Sequence, residues 1–406
     1  MQKHPATSRG RGCLRPAVAL GMGVAAWGLL SLWYVFTPDP GTVERLYSRG
    51  VYRVLATLVT PVTSAVDFSV ALVLAGLVLI GFPLLWAAHW GYRRRVLGWP
   101  HWRGIAWGIK WLFVGVPVLL LWFLVLWGAG YQRLPAEERL ALDMGPITKA
   151  ESTLLREQLL DLIRRDAPRS PEDRDVEGAI RAVSAAMEAT VAEWDGRAIV
   201  LPPRVKATPP GLLLLNGTSG ICAPFTLEPH VDGALPSAAF VATAAHELGH
   251  IAGICTEAEA NLVGYMAGLR ADHPFARYAA ALGMYVRLLP GGGRDEKKAA
   301  FDALPEVARK DIKRARETAQ RYRIQVVQQA SWKMYNKYLQ SQGIQEGVKN
   351  YARGITLFVH LWRDGHANFH GLAAPPGQEE APPTLSDDLK ELMLLEGAPK
   401  EEPEQS

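Results

Sequence analysis

Three uninterrupted apolar runs within the first 130 positions constrain this 406-residue chain more than any other feature. They occupy residues 16–36, 70–90 and 111–129. Each is long enough to cross a ~30 Å hydrocarbon core, which takes about 20 residues of helix. Lipid offers no hydrogen bonds to a bare backbone, so such runs fold as helices. Pro83 and Pro117 fall inside the second and third runs, where membrane helices tolerate them. The first run is too long for the apolar part of a cleavable signal and has no Ala-x-Ala site before Pro38. Residues 1–130 therefore read as a membrane domain with three spans, and the lipid bilayer is the first expected partner.

Lysine and arginine in short flanks set orientation. Lys3, Arg9, Arg11 and Arg15 precede the first run, and Arg93, Arg94, Arg95 and Arg103 lie between the second and third. The intervening loop, residues 37–69, has only Arg45, Arg49 and Arg53, spread among acids. The expected amino terminus is cytoplasmic, and everything after Gly130 lies on the other side. Beside membrane spans these clusters report topology, so no nucleic-acid partner is expected, and the net charge of +4 says little about partners. Residues 43–66 mix apolar and basic side chains at helical spacing, with Leu46, Val51, Val54, Leu55 and Leu58 on the pattern. Two readings stay open there, an interfacial helix and an ordinary connecting helix packed on the following domain.

From Leu134 the composition is that of a water-soluble domain, expected over residues 131–370. Leucine and isoleucine at helical spacing over 136–166, interrupted at Gly145-Pro146, predict helices, and residues 175–194 predict another. Leu212 to Leu215 reads as a short strand, with Asn216-Gly217 as a turn and residues 221–226 as its partner. Further helices are expected over 261–269, 276–289, 302–338 and 347–362, with a flexible break at Gly291-Gly292-Gly293. Residues 371–406 turn to proline and acid and read as a solvated tail, with a short helix over 385–395. The expected fold is mainly α with a small β-sheet.

One motif carries chemistry. His246-Glu247-Leu248-Gly249-His250 is an HExxH sequence in an apolar, helix-compatible stretch. On a helix His246 and His250 project from one face and can grip one zinc ion, while Glu247 sits about 100° round and can reach a water on it. With ten histidines, chance places such a motif in roughly one chain per hundred of this composition, so the flanks matter. Ser237 after Pro236 reads as the helix cap, and Gly253 lies where the helix should stop. Catalytic zinc keeps three protein ligands and one open position. Glu257 and Glu259 are the two candidates for the third. Thr256-x-x-Glu259 reads as a capping box, which gives Glu259 a structural task and favours Glu257. Asn261, one turn beyond Glu257, is placed to hydrogen-bond a ligand histidine.

Glu257-x-x-Ala260-Asn261 after HExxH resembles the ligand helix of gluzincin-type metallopeptidases. The closer resemblance is to a bacterial family of membrane-anchored, zincin-like proteins classed as a domain of unknown function. Its pattern is HExxH-x-x-Gly, a glutamate seven residues after the second histidine, and Glu-Ala-Asn, matched here by His250, Gly253, Glu257 and Glu259-Ala260-Asn261. The likeness extends to residues 126–131, 224–226, 338–339 and 347–351, and so covers most of 105–365. It implies a zinc peptidase fold with Zn2+ as cofactor and supplies no substrate; with the topology above, the expected place is a bacterial inner membrane and the expected substrate an unidentified protein or peptide of the cell envelope. By the same resemblance residues 221–227 would be the edge strand along which substrate pairs. His230 is then a candidate facing the cleft, against the plainer reading of a surface loop histidine. Tyr351 and His360 are candidates for a transition-state hydrogen bond, against the plainer reading of core packing. Two other function classes remain, a zinc-holding scaffold without catalysis and a zinc hydrolase of non-peptide envelope amides.

Of three cysteines, Cys222 and Cys255 fall in the outer domain, where a disulfide between them and two buried thiols are both open. No C-x-x-C spacing exists, so a cysteine zinc site is not expected.

Overall fold

A computed structural model describes residues 10–36, 38–290, 293–345, 347, 350–367 and 370–375, with the backbone alone described over 10–16 and 350–352. The acidic tail from Pro376, its expected helix over 385–395, Gly291 and Gly292 lie outside the described residues.

Three helices long and apolar enough to cross a membrane are present, with apolar windows over Ala17–Val35, Val70–Leu97 and His101–Leu126. The second runs seven residues past the expected end, to a left-handed Gly98, and the third starts ten residues early, at His101. The basic cluster therefore sits on the helix ends rather than in a loop. Arg93 lies over the Trp99 ring, 5.3 Å from its centroid, a contact that keeps the final turn helical. The first helix packs on the third, where the Trp27 indole donates to Phe113 O at 3.1 Å. The second meets the third through Trp86, which donates to Gly104 O at 3.1 Å.

Between the first two apolar helices, wide π-type turns over Val43–Val51 lead into a helix over Tyr52–Ser64. One face of this segment is locked to the domain by buried charge. Arg53 meets Asp195 at 2.5 Å, and Arg133 bridges Asp195 at 2.7 Å and Glu44 at 2.6 Å. The two carboxylates share a network of guanidinium groups, with Arg133 common to both, and that pairing is the condition for burying such groups.

The domain is helical around a three-stranded sheet. Helices Lys149–Asp166 and Val176–Asp195 appear where the periodicity placed them, the first opened by a Thr148–Glu151 capping box. In the sheet, β1 (Lys206–Thr208) runs parallel to β3 (Glu228–Asp232), and β2 (Gly220–Ala223) pairs antiparallel with β3 on its other side. The expected strand at Leu212 to Leu215 is absent. The buried Asp232 carboxylate accepts from the Gly211, Leu213 and Leu214 amides and curls that run into a turn ending at Leu214–Asn216. Apolar content alone carried no signal of that aspartate.

β3, not a loop, holds His230. The ring is buried, with Nε2 2.7 Å from Ser69 Oγ, and lines no part of the cleft above His246 and His250, contrary to both readings made for it. Beside it the Glu228 carboxylate accepts from the Val70 and Ala71 amides, capping the second apolar helix, and pairs with Lys206. The central strand is thereby pinned to a helix end. Cys222 and Cys255 are free, buried thiols.

Candidate metal centre

The motif occupies the last turns of a helix over Ser237–Ile251. Ser237 is its first residue rather than its cap: Pro236 takes the cap position, and the Ser237 hydroxyl meets Arg174 at 3.2 Å. At the far end Gly253 adopts φ +89°, a conformation costly for any residue with a side chain. A Cβ there would also stand 2.7 Å from the Tyr52 ring. Tyr52 crosses this turn and donates to Ile251 O at 2.8 Å, so the connecting segment holds the end of the metal helix. The chain then reverses into a second helix over Glu257–Arg270.

This hairpin brings His246, His250 and Glu257 together, with one donor atom from each inside a 4.8 Å group. Glu257 Oε2 lies 3.1 Å from His246 Nε2 and 3.5 Å from His250 Nε2. Ligands 2.0–2.1 Å from a tetrahedral zinc stand about 3.3 Å apart, close to both distances from Glu257. The tautomers agree. His246 Nδ1 lies 3.0 Å from Asn261 Oδ1, and His250 Nδ1 lies 2.7 Å from Ile254 O. Both acceptors call for a proton on Nδ1, which leaves each Nε2 with a lone pair turned toward Glu257. Glu257 Oε2 is buried and has no hydrogen bond among the described residues. A cation held among the three would relieve their crowding.

Protons are the other means of relief, and the electrostatics show it. Burial alone would lower His250, but the Glu257 charge and contact outweigh it and hold the ring up at about 9. Burial alone would raise Glu257, yet the two imidazoles hold it well below the usual carboxylate range. The Nδ1 contacts point to neutral rings, whereas this mutual shift points to a charged one. A cation held by the three side chains would take the proton's place and leave both rings neutral.

Glu247 is buried on the same floor, and burial pushes its carboxyl up to about 7 against the lowering pull of His246 and His250. Its Oε2 also has no hydrogen bond among the described residues. Gly220 of β2 passes directly over it, where a Cβ would stand 2.5 Å from Glu247 Oε1. A larger residue would push the strand off the base.

The cluster forms the floor of a cleft of about 360 Å³. One wall is β2 with Pro224, and the opposite wall is Ser331, Trp332, Tyr335 and Tyr338 from a helix over Gln325–Ser341. The end wall is Phe123, Trp127 and Tyr131, where the third apolar helix enters the domain. The expected edge strand is thus present but short: after Ala223 the chain turns, with Ala223 O accepting from Thr226 and Leu227.

Glu259 stands outside the cluster, and the capping box is not formed. Its carboxylate reaches the Ala136 amide at 3.0 Å and pairs with Arg139, while the buried Thr256 hydroxyl has no partner among the described residues. A guanidinium offered by another helix outcompetes a local amide for a carboxylate. Of the other candidates, His360 is buried against Arg363, 2.9 Å away, and lines no part of the cleft. The Tyr351 side chain lies outside the described residues. The tyrosine that does reach the centre is Tyr335, whose hydroxyl donates to Glu257 Oε1. That bond engages one carboxylate oxygen and leaves Oε2 for an ion. Tyr335 was missed because 78 residues separate it from Glu257 and no local spacing links them.

The fold and centre define a helical domain, carried on three long apolar helices, with a buried two-histidine, one-glutamate cluster. The chain belongs to a family of proteins of unknown function (DUF3810), whose model matches residues 47–359. Neither the curated proteins nor the solved structures contain a match to it.

Proposed function

We propose that this protein is a membrane-anchored, zinc-dependent peptidase acting on polypeptides of the cell envelope. The observation that carries the reading is the convergence of Glu257 Oε2 on two imidazoles whose Nδ1 atoms are already engaged, with Glu247 Oε2 beside them making no hydrogen bond among the described residues. His246, His250 and Glu257 would hold the ion, and zinc so held polarises a carbonyl and lowers the pKa of water toward ~7. Glu247 takes a proton from the attacking water and passes it to the departing amine. Asn261 and Ile254 O keep the two rings turned to the centre, and Tyr335 keeps Glu257 in place. The open edge of β2 favours an extended peptide over other amides, because a substrate strand can pair along Gly220–Ala223. A base on the floor speaks against a purely structural metal site, which has no use for one.

The purified full-length protein should cleave members of a degenerate quenched-fluorescent peptide mixture. Chelation should abolish cleavage and added zinc should restore it. Cleavage indifferent to chelator, or none in a zinc-loaded preparation, would remove the peptidase reading.

Topology is the second part of the proposal. A reporter fused after Gly130 should be active outside the cytoplasm, and one inserted at Gly98 should be active inside, as the basic helix ends require. Reversed reporters would place the cleft in the cytoplasm.

A further inference from the structure

The segment between the first and second apolar helices carries a row of large apolar side chains on its outer face. Its buried face mixes Glu44, Ser48, Arg53, Thr60 and Thr63 with Val43, Tyr52 and Ala56. Its outer face carries Leu46, Val51, Val54, Leu58 and Val62, which are 66%, 49%, 60%, 64% and 71% exposed. A water-facing helix puts its polar residues outward, and a continuous apolar stripe left exposed marks a surface that something covers. Phe36 and Phe68, at the two ends, are exposed as well.

What covers the stripe follows from where the segment is tied. It is joined to the first apolar helix across four residues, from Phe36 to Asp39, and to the second across five, from Ala65 to Ser69. Such links reach no more than about 3.5 Å per residue, so the stripe cannot leave the level at which those helices meet the domain. Lys206 fastens the second link, donating to Thr63 O at 2.8 Å and Phe68 O at 2.7 Å.

The cleft lies at the same level. Tyr52, on the buried face of this helix, donates to the end of the metal helix at Ile251 O. That leaves about one helix diameter, ~10 Å, between the stripe and the end of the helix that carries His246 and His250. From the other side Trp127, the first residue past the third apolar helix, sets its ring edge-on to His250 at 5.6 Å. Beyond β2, Phe225 rests on that helix, with Trp122 donating to its carbonyl at 3.4 Å.

We propose that the stripe lies in the headgroup–acyl boundary of the bilayer, and that the cleft therefore takes polypeptides anchored in that same bilayer, cut close to their anchor. The substrate half rests on the peptidase reading; the seating half does not. An anchored peptide meets the cleft at an effective concentration that a soluble one does not reach, whereas a soluble folded protein has to approach against the membrane.

The test uses the full chain in vesicles of phosphatidylcholine and phosphatidylglycerol. Single Leu58→Cys, Val62→Cys and Lys313→Cys variants, in a Cys13→Ser background, carry an environment-sensitive fluorophore. Lipids spin-labelled high on the acyl chain should quench the first two several-fold more than the third, and aqueous iodide should do the reverse. Equal quenching at all three positions overturns the seating, whatever the enzyme's activity. A degenerate peptide mixture, free or palmitoylated, is then offered to the same vesicles. The anchored mixture should be cut about tenfold faster or more at equal total concentration. Equal or faster cutting of the free mixture overturns the substrate class. Failure to cut either overturns the peptidase reading, and the substrate class with it, and leaves the quenching result standing.

Discussion

Glu247→Gln should leave zinc content and thermal stability near wild type while removing turnover. Glu247 is not among the three side chains that converge on the centre, so the substitution takes away no ligand. The amide is nearly isosteric and fits the buried floor beneath Gly220, but it cannot accept a proton from water near neutral pH. Loss of a general base typically costs 10²- to 10⁴-fold in rate. The buried, unpartnered Oε2 of Glu247 makes the substitution gentle, because no protein hydrogen bond is lost among the described residues. A variant that folds, holds zinc and does not turn over should retain bound substrate, which offers a route to identifying it by crosslinking. Cells carrying Glu247→Gln that process envelope proteins as wild type does, where a deletion does not, would leave a scaffold role as the better account.

The second large effect separates the two glutamates of the ligand helix. Glu257→Ala should weaken zinc binding by about 10-fold or more, at least the cost of disturbing a group that only supports a ligand. Glu259→Ala should leave the centre intact and act on stability. It strips Arg139, itself buried, of one of two carboxylate partners, the other being Asp195 at 3.3 Å. Breaking a buried pair from one side costs about 3–5 kcal/mol, well above the ~1 kcal/mol of a lost cap. Thermal melts and zinc content of both variants check this, with Glu259→Gln as the milder change should the alanine variant not fold. Zinc lost from Glu259→Gln and kept by Glu257→Ala would exchange the assignments.

What the sequence made legible here was what local geometry decides. The one-turn spacing of His246 and His250, the chain reversal at Gly253 and the one-turn spacing of Glu257 and Asn261 are all helical arithmetic. The structure brings His246, His250 and Glu257 together and sets Asn261 on His246. The apolar runs were legible for the same reason, since length and composition suffice to make helices long enough for a membrane. Partnerships across the chain were not legible. Thr256-x-x-Glu259 has the letters of a capping box, but Arg139 lies 120 residues upstream and takes the carboxylate. Leu212 to Leu215 has the letters of a strand, but Asp232 bends it. His230 looked like a loop residue because Glu228-Pro229 suggested a strand end, whereas both lie inside β3, with Pro229 set opposite Cys222. Tyr335 belongs to the same class of misses: only packing of the Gln325–Ser341 helix over the hairpin brings its hydroxyl to Glu257.

The central claim is that this hairpin holds a metal ion, and metal content of the purified full-length protein tests it most directly. Wild type, exposed to zinc and freed of loosely bound ions, should carry about one zinc per chain, as one three-ligand site requires. The His246→Ala/His250→Ala pair, verified as folded by circular dichroism, should carry close to none. Wild type emerging without zinc, or the double variant retaining as much as wild type, would contradict the account.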